Sequence, residues 1–163
     1  MPKQRPSDPT TPTGIRDFSR SLPMALLRAR EAVMARFRPT LRRHDITEQQ
    51  WRVLRALTAS AVPLTPSEIS KMTLLSLPSL SRLLKTLEAR GVVRRAAHDE
   101  DLRSARLALT PRGRKVVRTI APMSEMSYAD IGDAIGADDL EALYQLLDAV
   151  VLRLGDPVLE DAP

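Results

Sequence analysis

Apolar residues recur along this chain at the three- and four-residue spacing of α-helices, broken once by two short β-prone runs. From about Phe18 to Arg43, Leu22, Ala25, Leu26, Ala29, Val33 and Phe37 make one long stripe, with Pro23 tolerable only near the first turn. "ITEQQW" then writes a helix start. Thr47 suits the N-cap, Gln50 falls at N3, and Ile46 with Trp51 are placed as a hydrophobic staple. "LTPSEI" repeats that grammar with Thr65 as cap, Pro66 at N1, Glu68 at N3, and Leu64 with Ile69 as staple. A third helix is expected from about Ser76 to Gly91, a natural left-handed stop. Its apolar stripe is Leu80, Leu83, Leu84 and Leu87, opposite Ser79, Arg82 and Lys85.

After Gly91, "VVRRAA" and "SARLALT" flank the acidic turn "HDEDLR" and read as a β-hairpin. Thr110 caps a helix with Pro111 at N1, and a last helix is expected from about Asp138 to Leu154. Three helices followed by a hairpin form a winged helix-turn-helix, so the expected fold is mainly α with the hairpin as wing. The first and last helices are left over from that small core. Their stripes fit a helical dimerisation region in which the termini of two copies interleave. The expected organisation is a flexible arm over residues 1–17, one domain over 18–154, and a tail over 155–163. Within the domain, 46–110 form the DNA-binding lobe, and 18–45 with 111–154 the dimerisation helices.

Charge sharpens this picture through its distribution. Residues 1–60 hold twelve Lys or Arg against five acids, residues 61–121 repeat those counts, and residues 122–163 hold ten acids with Arg153 as the one cation. A basic working surface and an acidic end kept away from it fit a polyanionic partner. The chain has no cysteine, which excludes disulfides, thiolate metal sites and thiol redox sensing. No apolar run approaches the roughly 20 residues of a membrane helix, and the Pro- and Thr-rich start lacks a signal-peptide core, so a cytoplasmic location is expected. Two histidines 54 positions apart and no ligand-spaced acid cluster leave no expected catalytic site, metal site or cofactor.

The run from Thr65 to Gly113 resembles the MarR family of winged-helix transcription regulators. The features it shares are Leu87-Glu88-x-x-Gly91-Val92-Val93-x-Arg95, the wing motif Asp101-x-Arg103, and Leu109-Thr110-x-x-Gly113. The segment "RSLPMALLRAREAVMARFRPTLRRHDITEQQWRVLRAL" is similar to the branch of homoprotocatechuate-degradation operon regulators. The resemblance implies a homodimeric repressor on a palindromic double-stranded DNA operator. It also implies relief by a small aromatic effector, either an aromatic or phenolic acid or its coenzyme A thioester.

In such a fold the helix after Ser76 enters the major groove. Ser76, Ser79 and Ser81 are short enough for close approach, Arg82 can read guanine in bidentate fashion, Pro78 can touch a thymine methyl, and Lys85 suits phosphate. The family motif places Arg103 in the minor groove with Asp101 orienting it, while Arg94, Arg95 and Arg106 are candidate phosphate or strand-surface cations. For the effector, the resemblance implies a pocket where the first and second helices meet the fifth. Arg16, Arg20 and Arg28 are then candidate carboxylate partners, Met24 and Trp51 an apolar slot, and His44 a partner for a phenol or carboxylate. Blander roles compete: a leucine stripe with a polar back also fits a solvated helix, Trp51 fits the core, and His44 and His98 fit exposed turns. Two other functions stay open, a regulator of drug efflux or stress and a winged-helix interaction module that binds no DNA.

Overall fold

The computed structural model describes residues 14, 15, 17–96 and 106–155. It divides into two compact units, one through Phe37 and one from Arg38. In the first, a 3-10 turn at Phe18–Arg20 precedes helix α1, Leu22–Arg43, whose last turns belong to the second unit. The expected helix from Phe18 therefore starts four residues later. Pro23 has no N–H to donate back toward residue 19, and the Ser21 hydroxyl accepts from the Met24 N–H at 3.3 Å instead. Leu22, Leu26, Leu27 and Val33 are exposed, whereas Phe37 is buried.

The second unit continues with α2 (Glu48–Ala59), α3 (Pro66–Thr73), α4 (Leu77–Ala89), β1 (Val93–Ala96), β2 (Arg106–Leu109), α5 (Pro111–Ile135) and α6 (Ala137–Leu154). Both capping boxes form. Gln50 N–H donates to Thr47 Oγ1 at 3.2 Å and Thr47 N–H to Gln50 Oε1 at 3.0 Å. Glu68 N–H donates to Thr65 Oγ1 at 3.2 Å and Thr65 N–H to Glu68 Oε2 at 2.7 Å. The backbone and hydroxyl hydrogen bonds from Thr65 hold the Glu68 carboxyl below its usual range, and Arg106 lowers it further. At the other end of the lobe, Gly91 adopts φ 65° and Val92 N–H reaches Leu87 O at 2.9 Å, which stops α4 where the glycine allows it.

β1 and β2 pair antiparallel with Val93 opposite Leu109 and Ala96 opposite Arg106. Leu64 adds a third edge through two bonds with Leu107, N–H to O at 3.0 Å and O from N–H at 2.7 Å. Leu64 thus stitches the hairpin to the loop before α3, a role its staple position did not announce. The core gathers Val53, Leu54, Ile69, Leu80, Leu84, Leu87, Val92, Leu107 and Ile120, all nearly inaccessible to solvent. Each such side chain contributes about 1.5–3 kcal/mol by leaving water. Helix α6 is the opposite case. It buries no residue, and Leu143, Leu146, Val151, Leu152 and Leu154 stand exposed.

Gly113 sits on the buried face of α5, where a Cβ would lie 2.1 Å from the Val92 carbonyl oxygen. Glycine is required here for close approach, since that carbonyl also accepts from Thr110 N–H at 3.1 Å. Gly113→Ala must push α5 off β1, and a loss of at least about 1–3 kcal/mol is expected in chemical denaturation. A variant as stable as the parent would show that this contact is not tight.

Candidate nucleic-acid interface

Helix α4 turns one face inward and one outward. Leu80, Leu84 and Leu87 are buried, and Leu83 is half-buried. At 100° per residue, burying these fixes Pro78, Ser81, Arg82 and Lys85 on the other side as an i, i+3, i+4, i+7 row. All four are exposed, as are Ser76 and Ser79. Arg82 and Lys85 make no side-chain hydrogen bond or ion pair with another described residue. Their donors are therefore available to an incoming anion or base edge.

The start of α4 differs from those of α2, α3 and α5. Thr47, Thr65 and Thr110 each cap their helix with a side-chain oxygen, whereas Ser76 makes no such bond. The Ser76 hydroxyl donates to Ser79 Oγ at 3.0 Å, so these two expected readers are paired with each other while both remain exposed. The strand cations separate. Arg95 Nε donates to Glu88 Oε1 at 2.9 Å, tying β1 to α4. Arg106 Nη1 donates to Pro63 O at 3.0 Å, and its buried Nε has no partner among the described residues. Arg94 is exposed, and its side chain makes no bond with a described residue. Asp101, Arg103 and His98 lie outside the described residues.

Three further arginines are spent on backbone carbonyls. Arg52 donates to Thr73 O at 2.8 Å, Arg90 to Asp45 O at 2.6 Å and Arg114 to Leu109 O at 2.9 Å. These bonds hold the ends of α3, the α1–α2 turn and the foot of β2. They fix the platform from which α4 projects.

The expected effector residues distribute unevenly. Arg16 lies outside the described residues; Arg20 and Arg28 are exposed and Met24 half-buried in the first unit. In the second unit His44 is half-buried and Trp51 buried. The structure adds a pair that the sequence reading missed. Arg55 Nη1 donates to Tyr128 Oη at 2.7 Å, with the guanidinium carbon 5.8 Å from the ring centroid. Arg55 lies one helical turn beyond the buried Trp51 on α2, so a cation and a phenol meet between α2 and α5 on the stretch of α2 that carries the indole. The Trp51–Arg55 spacing was the available signal; the partner 73 positions away was not.

A family model described as MarR family matches residues 44–104. The homoprotocatechuate degradative operon repressor of Escherichia coli is 34% identical over 143 residues, spanning 88% of this chain and 95% of that protein. Among solved structures, NadR in complex with 4-hydroxyphenylacetate is 32% identical with a TM-score of 0.70, covering 83% of this chain and 95% of that one. The repressor CouR bound to a 23-mer DNA duplex is 28% identical with a TM-score of 0.74, covering 82% of this chain and 94% of that one. CouR bound to p-coumaroyl-CoA is similar at 26% identity and a TM-score of 0.71, covering 82% and 93%.

Proposed function

This chain belongs to the MarR family of transcriptional regulators, and on that premise we propose that it is a homodimeric repressor of an aromatic-compound catabolic operon. It works in the cytoplasm, carries out no catalysis, and leaves a palindromic operator when a small aromatic acid, phenolic acid or coenzyme A thioester binds. The observation that carries the reading is α4: a leucine-anchored helix presenting Pro78, Ser81, Arg82 and Lys85 to solvent, with neither cation engaged by a described residue. Such a helix can enter a major groove without first breaking an internal bond.

Dimerisation follows from α6. An 18-residue helix in which no residue is fully buried, yet which carries a row of leucines and valines, needs a second surface to cover it. A second copy supplies that surface by two-fold symmetry and brings a second α4. The expected domain roles follow the same division, with 46–110 reading DNA and 18–45 with 111–154 joining the copies. Arg103, oriented by Asp101, extends the contact into the minor groove.

For the effector, the Arg55–Tyr128 pair beside Trp51 has the right chemistry. A guanidinium takes a carboxylate, a phenol pairs with a ring hydroxyl or thioester carbonyl, and the indole backs the ring. The first-helix candidates Arg16, Arg20, Met24 and Arg28, with His44, remain part of this proposal. An aromatic acid that takes over the Arg55 donors separates α2 from α5, and so has different affinities for the two states.

Two experiments bear on this. Arg82→Ala should relax base preference at one position per half-site, costing about 1–3 kcal/mol on the preferred base. Lys85→Ala should weaken all sequences alike and lower the salt slope by about 0.9 per half-site, about 1.8 for the dimer. Uniform weakening by Arg82→Ala in a mobility-shift series would remove it from base reading. In the same assay, Arg55→Ala should raise the 4-hydroxyphenylacetate or p-coumaroyl-CoA concentration for half-release by about tenfold. Because the substitution also removes the bond to Tyr128, half-release is read with each variant at a protein concentration matched to its own operator affinity. An unchanged effector response in Arg55→Ala would contradict the assignment.

A further inference from the structure

A cavity of about 310 Å³ opens at the root of the hairpin, and Trp51, Arg55 and Tyr128 are not among its lining residues. Its walls come from the end of α2 (Leu57, Thr58), the loop after it (Ser60, Val62), β1 (Arg94) and the first turn of α5 (Arg114). Arg94 and Arg114 both line this space, and no acid among the described residues does. Two described acids of the lobe are committed elsewhere, Glu68 to its cap at Thr65 and Glu88 to Arg95.

Strand geometry fixes which way these cations face. Successive residues of β1 point to opposite sides, so Arg94 emerges opposite Arg95, whose side chain turns to α4 through Glu88. The Arg94 guanidinium has no bond to a described residue. Arg114 is held in place by its one bond to Leu109 O at 2.9 Å, which leaves further N–H donors of its fork for a ligand. The Thr58 and Ser60 hydroxyls are already turned to the Leu54 and Val62 carbonyls, at 2.7 Å each. They leave the arginines as the free donors of the site.

We propose that this cavity binds a small oxyanion, a carboxylate or phosphate, gripped between Arg94 and Arg114 as a second ligand site of the protein. Two like charges lining one pocket with no acid among the described residues beside them repel, and an oxyanion converts that repulsion into charge-assisted bonds. The volume lies at the lower end of small-molecule sites, enough for a small oxyanion or for the anionic end of a larger ligand. Val62, 62% exposed at the rim, offers hydrocarbon to the uncharged remainder. Facing away from the α4 side of β1, the pair is placed for a soluble anion and not for operator phosphate.

The test uses the full chain in chloride buffer at constant ionic strength, followed by heteronuclear NMR titration with inorganic phosphate and, separately, with acetate. Saturable shifts at the Arg94, Arg114 and Val62 amides are expected, and the tighter of the two anions identifies the source of the ligand. Arg94→Ala and Arg114→Ala should each weaken that binding at least about tenfold. Arg118→Ala, which removes one charge of α5 outside the cavity, should leave it unchanged. Shifts that never saturate, or that survive Arg94→Ala, overturn the proposal. So does an Arg94→Ala variant whose operator affinity falls uniformly while neither anion titrates the parent protein.

Discussion

The one-sided burial of α4 is the constraint from which the rest of this structure follows. Leu80, Leu84 and Leu87 are nearly inaccessible, so neither the axis nor the rotation of the helix is free. Rotating it by one residue would turn leucine outward and bring Ser81, Lys85 and Glu88 inward, at a cost of several kcal/mol for buried charge. Everything packed behind α4 serves that orientation. Capping boxes fix where α2 and α3 begin, Arg52 holds the end of α3, and Arg90 ties the end of α4 to the α1–α2 turn. Gly113 lets α5 press against the root of β1 closely enough to close the back of the lobe.

Helix α2 links the reading head to the proposed effector cluster. On one side it bears Trp51 and Arg55, the latter bonded to Tyr128 of α5; on another, Arg52 reaches Thr73 O at the end of α3. A ligand that displaces Tyr128 from Arg55 therefore acts on the same rigid element that positions the approach to α4. Family members bound to an aromatic acid, to an aromatic thioester and to DNA share this fold with the chain.

Local rules made much of this legible in the sequence. The threonine caps at 47, 65 and 110, the stop at Gly91 and the leucine stripe of α4 each depend on residues within one or two turns, and each forms as expected. What escaped the sequence depends on distant partners. The Leu64–Leu107 bridge and the Arg55–Tyr128 bond join positions 43 and 73 apart, which no periodicity records. The arginines were equally unreadable as a class. Arg52, Arg90, Arg106 and Arg114 each donate to a backbone carbonyl, Arg95 pairs with Glu88, and Arg82 and Arg94 are left without a described partner. Composition gives them all one charge; only packing sorts them into fasteners and ligands.

The central claim is that two copies of α4, carried by one symmetric assembly, lie in successive major grooves of a single operator. Hydroxyl-radical footprinting of the protein on its own promoter tests this most directly. Two equivalent protected patches related by two-fold symmetry, with centres about 10–10.5 base pairs apart, are predicted. A single patch, or protection that follows the duplex without sequence preference, would contradict the account.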